Sequence, residues 1–271
     1  MTRELKDLMS FNEKTVDFNC DKHGLQKCKI IKFSQDWTKP YCKLCEEDRK
    51  VEEAKREEER KKRQQAEAKR ARIESLLRRS MIPSRFSNYT FETYIAKSDD
   101  QKRKKEFCQK YSEDFENVYQ NGTSLVFCGT TGTGKTHLAC AIANAVITRL
   151  GSSAVFMSVI RAIRQVKETY SKSSEKTEQE AIDWFLNPDL LILDEVGVQF
   201  GTDAEKVILF EILNERYQNR KPTILISNLA PKPLTEYIGD RVMDRMKDDN
   251  GSVLQFKWES HRGKILQNID N

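Results

Sequence analysis

The sequence predicts an α/β domain with a parallel sheet, preceded by a small metal-binding module and a charged helical connector. Three observations carry this prediction. A glycine-rich loop, Gly129–Thr136, lies between an apolar segment that is typical of a buried strand and a segment that is typical of a helix. A second apolar segment, Leu190–Leu193, ends in two acidic residues, Asp194 and Glu195. Pairs of cysteine and histidine with the spacing of metal ligands occur within the first 45 residues.

The composition sets limits on the class of protein. Of 271 residues, 38% are hydrophobic and 33% are charged, so we expect part of the chain to lie outside a hydrophobic core. The net charge of +5 permits nucleic-acid binding without requiring it. Seven unevenly spaced cysteines favour a reducing compartment, and the N-terminus lacks the apolar region of a signal peptide. We therefore expect a soluble cytoplasmic protein that has no membrane partner.

The first predicted element is a zinc-binding module over residues 1–45, in which residues 1–19 carry little signal. The expected ligands are Cys20, His23, Cys42 and Cys45. Four nitrogen and sulfur ligands satisfy tetrahedral Zn²⁺ and leave no open position, which indicates a structural ion. So short a segment buries little apolar surface, and the metal would supply most of its folding free energy. Cys28 is an alternative ligand to His23.

Residues 46–82 predict a helical connector. Acidic and basic side chains alternate in nearly equal number, and pairs such as Glu57–Lys61 and Glu58–Lys62 have the spacing that supports a helix. Apolar residues become frequent only near its end, where they share one face and should dock onto the next domain. These residues are Ile73, Leu76, Leu77 and Met81. Pro83 forbids a normal continuation of the helix.

Residues 83–271 predict one α/β domain with five buried strands. The strands are expected at Ser124–Cys128, Ala154–Ser158, Asp189–Asp194, Pro222–Asn228 and Ser252–Phe256. Helices are expected directly after the glycine-rich loop and at residues 101–120, 160–170, 181–186, 203–219 and 234–248. Residues 171–180 are polar and predict a loop. Alternation of apolar strands with helices favours a parallel sheet.

The glycine-rich loop matches the phosphate-binding loop of nucleoside triphosphatases, G-x-x-x-x-G-K-[ST]. Its residues are Gly129, Thr130, Thr131, Gly132, Thr133, Gly134, Lys135 and Thr136. The glycines let backbone N–H groups close around phosphate oxygens, and the following helix N-terminus adds partial positive charge. Lys135 would reach the β- and γ-phosphates, and the Thr136 hydroxyl would hold Mg²⁺. The strand–loop–helix context makes an accidental match improbable, and we expect ATP and Mg²⁺ to bind here.

The acidic pair at the end of the third strand completes the predicted site. Asp194 would bind Mg²⁺, usually through water, and Glu195 would polarise the water that attacks the γ-phosphorus. Asn228 follows the fourth strand and would fix the same water, although a turn residue that closes a strand explains it equally well. ATP hydrolysis requires both carboxylates at one strand end beside the phosphate loop.

Several longer stretches together resemble the AAA+ ATPases of the DnaC-type replicative helicase loaders, over roughly residues 83–264. The resemblance is carried by the stretches GTTGTGKTHLACAIAN, LLILDEVGVQ, ISN, GDRVMDRM and FKWESHR. It implies an AAA+ fold and slow, assembly-dependent hydrolysis of ATP. The N-terminal cysteine module looks like that of phage-type and DnaI-like loaders, and it differs from loaders whose N-terminal domain is helical and zinc-free.

The resemblance also implies roles for single residues. Asn228 is similar to the polar sensor-1 residue. Arg245 looks like the arginine finger that completes the site of a neighbouring subunit, and Arg241 is an alternative for that role. Arg262 looks like the sensor-2 arginine, which reads the γ-phosphate from its own chain. Guanidinium groups suit a transition state that spreads charge over phosphoryl oxygens.

The segment Phe156–Tyr170 resembles the single-stranded DNA insert of this family. Its expected DNA contacts are Arg161, Arg164, Lys167 and Tyr170, with the tyrosine stacking on a base. The spacing fits a plain amphipathic helix as well. Together these features predict an ATP-dependent loader of a hexameric DnaB-type helicase that self-associates through its ATPase domains. The alternatives are an IstB-like transposition helper and a zinc-dependent DNA-binding adaptor with a weak ATPase.

Overall fold

The computed structural model describes residues 13–33, 36–198 and 202–261. The chain divides into two compact units, with the boundary between Ala68 and Lys69. This boundary falls inside one long helix, α1 (Lys43–Arg79), so each unit contains part of that helix.

The first unit contains a three-stranded antiparallel sheet. Strand β1 (Glu13–Cys20) pairs with β2 (Gly24–Phe33), which pairs with the short β3 (Asp36–Trp37). Strand β1 lies in the stretch where the sequence gave little signal. Its alternation of Val16 and Phe18 with polar residues is short, and the tight turn between Cys20 and Gly24 fixes the pairing.

Helix α1 is 37 residues long, and every residue in it is exposed or only partly buried. Ion pairs one turn apart run along it, including Lys62–Glu58 at 2.6 Å and Lys61–Glu57 at 3.7 Å. Exposed pairs of this kind each contribute about 0.3–0.5 kcal/mol. The predicted helical connector is thereby confirmed, although the helix begins and ends three residues earlier than the expected segment.

The apolar end of α1 packs as predicted only in part. Ile73 and Leu76 pack against one core of the second unit, and Met81 packs against the other. Leu77 remains 38% exposed, so the prediction that it docks onto the next domain with the others is wrong. The left-handed backbone at Met81, with φ 56°, turns the chain and separates this side chain from the face of Ile73 and Leu76.

The second unit is organised around a parallel sheet of five strands in the order β5-β6-β7-β4-β8. The strands are β4 (Leu125–Gly129), β5 (Ala154–Ser158), β6 (Leu190–Asp194), β7 (Thr223–Ile226) and β8 (Ser252–Phe256). All five predicted strands are present. Because β4 lies between β7 and β8, the glycine-rich loop leaves the sheet beside the ends of both neighbours.

Helices cover both faces of this sheet. They are α2 (Asp99–Glu113), α3 (Phe115–Asn121), α4 (Lys135–Ala145), α5 (Val159–Lys167), α6 (Glu178–Trp184), α7 (Asp203–Gln218), α8 (Pro231–Ile238) and α9 (Asp240–Arg245). Alternate strand residues enter the two cores, as Leu190 and Ile192 pack on one face and Leu191 and Leu193 on the other.

Three predicted segments need correction. The helix expected at 101–120 is two helices that break at Asp114, and the helix expected at 234–248 is two helices that break at Gly239. Gly239 has φ 87°, a backbone conformation that other residues rarely adopt and that no α-helix contains. The loop expected at 171–180 ends early, because Thr177 and Glu180 form a capping box that begins α6.

The helices within the described residues are all too short or too polar to cross a lipid bilayer.

Candidate functional site

The glycine-rich loop joins the end of β4 to the start of α4. Lys135 is only 4% exposed, and its ammonium donates to the carbonyl oxygens of Gly129 at 2.8 Å and Thr130 at 2.6 Å. Gly134 begins the helix with φ 91°. The loop is therefore folded around its own lysine, and it leads directly into the N-terminus of an 11-residue helix.

A cavity of about 550 Å³ opens over this loop. Predicted site residues on its wall are Thr131, Gly132, Thr133, Gly134, Lys135, Thr136, Asp194, Glu195 and Asn228. Gly129 and Thr130 lie one step behind the wall, where their carbonyl groups hold Lys135. The structure thus brings the loop, the acidic pair and the predicted sensor together in one cavity large enough for a nucleotide.

The acidic pair lies beside the start of α4. The hydroxyl of Thr136 donates to Asp194 Oδ2 at 3.1 Å, and the N–H of Glu195 donates to Asp194 Oδ1 at 2.7 Å. Burial raises the pKa of Asp194, because the carboxylate loses hydration there. A hydroxyl beside a desolvated carboxylate is a donor set that Mg²⁺ prefers, so these two residues fit the expected ion.

Glu195 has a left-handed backbone, with φ 64°. For a residue other than glycine this conformation costs about 1–3 kcal/mol, and it turns the exposed side chain away from the strand direction. The backbone therefore directs the two consecutive acidic residues differently, which suits the different roles predicted for them.

Asn228 reaches the cavity because the ends of β6 and β7 are tied together. The buried hydroxyl of Ser227 donates to the carbonyl of Val196 at 2.6 Å and accepts from the N–H of Leu229 at 3.1 Å. Asn228 between them is exposed on the cavity wall. Its position fits the predicted contact with an attacking water.

Aromatic residues at the other end of the cavity were not predicted. Phe86, Tyr89 and Phe156 line it, and the ring of Tyr89 stacks on His137 at 4.2 Å with an interplanar angle of 4°. Burial lowers the pKa of His137, which favours the neutral ring. An aromatic wall suits a flat purine base. The sequence offered no signal for it, because Phe86 and Tyr89 lie in an irregular segment with no periodicity.

The chain is similar in sequence to known ATP-binding proteins. A model of the family described as IstB-like ATP binding protein matches residues 46–267. The chain belongs to this family. The replicative helicase loader DnaC of Buchnera aphidicola subsp. Acyrthosiphon pisum is 34% identical over 202 residues, which is 74% of this chain and 80% of that protein. The predicted family is therefore confirmed, and so is its ATPase class.

Solved structures agree on the fold. The crystal structure of the DnaC helicase loader matches with a TM-score of 0.58 and 24% identity, covering 65% of this chain and 100% of that one. The replication initiator DnaA bound to AMPPCP and single-stranded DNA matches with a TM-score of 0.54 and 25% identity, covering 70% of this chain and 55% of that one. The AAA+ fold predicted from the sequence is confirmed.

Two of the predicted arginines of this IstB-like protein, Arg241 and Arg245, are not among the residues that line its cavity. The guanidinium of Arg245 donates to Asn214 and lies over the ring of Tyr217, 5.2 Å from its centroid. Arg241 is exposed one turn earlier on α9. Arg262 lies outside the described residues. An arginine that serves a neighbouring subunit must face away from its own nucleotide, which both α9 residues satisfy.

The predicted DNA-contacting residues lie on or just after α5. Arg161 and Arg164 are exposed on one side, whereas Val159, Ile163 and other apolar residues on the opposite side are buried. Lys167 pairs with Glu205 at 2.9 Å. The helix is therefore both amphipathic and basic, and two of its cations face solvent. These cations suit the phosphates of a nucleic acid.

Beyond the helix, Tyr170 is 56% exposed. Its hydroxyl donates to the carboxylate of Glu178. The ring face therefore remains accessible for stacking on a base, while the adjacent carboxylate disfavours a nearby phosphate.

The four predicted zinc ligands converge in the first unit, before the start of the family match at residue 46. Their ligand atoms all lie within 4.8 Å of one another; they belong to Cys20, His23, Cys42 and Cys45. A tetrahedral zinc ion spaces sulfur atoms about 3.8 Å apart and sulfur and nitrogen about 3.6 Å apart. The observed separations from His23 Nδ1 are 3.8 Å to Cys20, 3.5 Å to Cys42 and 3.3 Å to Cys45, so the donors fit this ion.

The alternative ligand, Cys28, is occupied elsewhere. Its thiol donates to the carbonyl of Tyr41 at 2.7 Å, on the chain just before the second ligand pair. The other ring nitrogen of His23, Nε2, lies 3.1 Å from the carboxylate of Asp48. A carboxylate behind a ligating histidine fixes the ring and strengthens it as a ligand, and the sequence pattern did not reveal it.

Proposed function

We propose that this chain is an ATP-dependent loader that places a replicative helicase of the DnaB type on single-stranded DNA. The observation that carries the proposal is a cavity lined by the phosphate loop and the acidic pair, on an AAA+ fold whose sequence is 34% identical to a protein named replicative helicase loader DnaC. We assign the zinc module to residues 1–45, the connector to residues 46–82 and the ATPase domain to residues 83–271.

The loop residues bind the triphosphate. Lys135 exchanges its two carbonyl partners for oxygens of the β- and γ-phosphates, and the N–H groups at the start of α4 take the others. Thr136 and Asp194 would hold Mg²⁺, which supplies positive charge to the phosphoryl oxygens. Glu195 accepts a proton from the attacking water, and Asn228 orients that water.

Neighbouring copies complete the site. Arg245, or Arg241 one turn earlier, supplies a guanidinium to the γ-phosphate held by the next subunit. Arg262 would contact the γ-phosphate of the ATP that its own chain binds. A monomer lacks the finger, and therefore we expect hydrolysis to be slow until subunits assemble. ATP then acts as a switch, because its hydrolysis releases the helicase.

We assign helicase binding to the zinc module and DNA binding to α5. The module lies outside the family match, which suits a part that is adapted to one particular partner. Exposed Arg161 and Arg164 would contact phosphates of the single strand, and Tyr170 would stack on a base.

The test uses circular single-stranded DNA. Because a circle has no end to thread through a closed helicase ring, the helicase can bind around it only if a loader opens the helicase ring. The full chain is incubated with the replicative helicase of the same cell, with and without ATP, and helicase left on the circles is measured. We expect loading by the wild type only with ATP, none by Lys135→Ala, and normal loading by Lys110→Ala, an exposed lysine on α2. Loading by Lys135→Ala, or DNA coating without any helicase as expected of a transposition helper, contradicts the proposal.

A further inference from the structure

A short segment after β8 holds the phosphate loop from behind. We call residues 257–261 the loop strap. The indole N–H of Trp258 donates to the carbonyl of Thr133 at 2.9 Å, and the backbone N–H of His261 donates to the carbonyl of Gly132 at 2.9 Å. In return, the hydroxyl of Thr130 donates to the carbonyl of Trp258 at 3.3 Å. Three hydrogen bonds thus join the strap to three loop residues, Thr130, Gly132 and Thr133.

The strap is anchored before it reaches the loop. Strand β8 pairs with β4 as far as Gly129 and Phe256, and a Cβ on Gly129 would lie 2.1 Å from the Phe256 carbonyl oxygen. The ring of Trp258 packs on Phe256 with centroids 5.1 Å apart. On its other side Lys104 lies over the indole, 5.2 Å from the centroid. The indole is therefore held between the sheet and helix α2.

The far end of the strap has its own anchor. The ring of His261 lies 3.1 Å from the amide nitrogen of Gln101, which is 3% exposed. Gln101 is fixed in turn, because its side chain accepts from the N–H of Ser98 in the capping box that begins α2. The strap thus transmits the rigidity of a helix start to the loop.

Peptide geometry gives these contacts a consequence for phosphate binding. In a planar trans peptide the C=O and N–H groups point in opposite directions. The strap holds the carbonyls of Gly132 and Thr133, and it thereby sets the direction of the N–H groups of Thr133 and Gly134. Both of these residues line the nucleotide cavity. The strap therefore fixes two donors that face the phosphates.

We propose that Trp258 is a positioning residue for the phosphate loop: its indole N–H preorganises the Thr133–Gly134 peptide for ATP. The proposal rests on the proposed function, since it requires ATP in this cavity. It assigns a task to a tryptophan for which the sequence motifs gave none.

The test compares Trp258→Phe with Trp184→Phe. Phenylalanine keeps an aromatic ring between Phe256 and Lys104 but lacks the N–H, and Trp184 packs on Phe185, away from the loop. Loss of one net hydrogen bond predicts an Mg·ATP Kd about fivefold higher for Trp258→Phe. KM rises with it, whereas kcat at saturating ATP stays close to wild type. The Tm without nucleotide falls by no more than about 2–4 °C, because the same hydrogen bond is present in the nucleotide-free chain. Trp184→Phe keeps the wild-type Kd.

A second measurement reads the contact directly. The chain has three tryptophans, so a Trp37→Phe and Trp184→Phe double variant retains Trp258 alone. We expect Mg·ATP to change the fluorescence of this variant with the wild-type Kd. The proposal is overturned by an unchanged Kd for Trp258→Phe or by an equal increase in Kd for Trp184→Phe. It is also overturned if the fluorescence of Trp258 does not change when ATP binds. Failure of the wild type itself to bind ATP would instead refute the proposed function.

Discussion

At the scale of single residues, the nucleotide site contains two charged side chains that are largely buried in the fold without ligand. Lys135 is buried among carbonyl groups, and Asp194 accepts from Thr136 and from the N–H of Glu195. Burial raises the pKa of Asp194, so its ionised form is less stable in the folded chain than in the unfolded one. Ionisation of this predicted Mg²⁺ ligand is therefore unfavourable for folding.

Asp194→Asn should raise the stability of the nucleotide-free protein. A raised carboxyl pKa means that ionisation weakens folding as the pH rises past the ordinary value of an aspartate, and a neutral amide avoids this cost at pH 7. We expect the free energy of unfolding to increase by on the order of 1 kcal/mol, as is usual when a residue that serves function at the expense of stability is replaced. Urea unfolding at pH 7 measures it, while Mg²⁺-dependent binding of ATP is lost.

The matched control lies at the opposite end of the same strand. The carboxylate of Asp189 accepts from the N–H and the hydroxyl of Ser153, at 2.8 and 2.9 Å. Asp189→Asn should lower the free energy of unfolding by about 1 kcal/mol, because charge-assisted hydrogen bonds weaken. A lower stability for Asp194→Asn than for wild type would contradict the interpretation of that residue.

At the scale of elements, contacts that join distant segments were the ones the sequence did not predict. The Cys20–His23 and Cys42–Cys45 spacings predicted a ligand set, but Asp48 behind His23 follows from how α1 begins beside the hairpin. Trp258 likewise belongs to a family motif, but the sequence indicated no role for it, because its partner Thr133 lies 125 residues away. Local spacing predicts groups within one turn or strand end, whereas tertiary packing decides the layer behind them.

Asp48→Asn should weaken zinc binding about 10–100-fold, since the carboxylate orients and polarises His23. Zinc competition with a chromophoric chelator measures the affinity on the full chain. Glu47→Gln is the control, because Glu47 is the neighbouring exposed acid on the same helix. Equal zinc affinity for the two variants would remove Asp48 from the metal site.

Helix α5 carries the DNA prediction. Replacing Arg161 and Arg164 together by alanine should weaken single-stranded DNA binding and reduce the slope of log affinity against log salt by about 1.4, at about 0.7 per lost phosphate contact. Lys167→Ala should change the slope less, because Lys167 already pairs with Glu205. Fluorescence anisotropy over a salt series measures both. An unchanged slope in the double variant would exclude these arginines as phosphate contacts.

At the scale of the whole molecule, two units with different chemistry share one long helix. The ATPase unit could be predicted nearly strand by strand, since buried parallel strands are apolar throughout and the phosphate loop marks their common edge. The breaks at Asp114 and Gly239 were not predicted, because each lies inside a continuous helical pattern. Strand β1 of the first unit was not predicted, because its pairing is fixed by the tight turn before Gly24 and by the ligand cluster.

The central claim is that ATP binds between the glycine-rich loop and the acidic strand end. Calorimetric titration of Mg·ATP into the full chain, purified without chelator, tests it most directly, with Lys135→Ala beside the wild type. The account predicts one ATP per wild-type chain and no measurable binding by Lys135→Ala. A wild-type chain that binds no ATP, or a Lys135→Ala variant that binds it equally well, would contradict it.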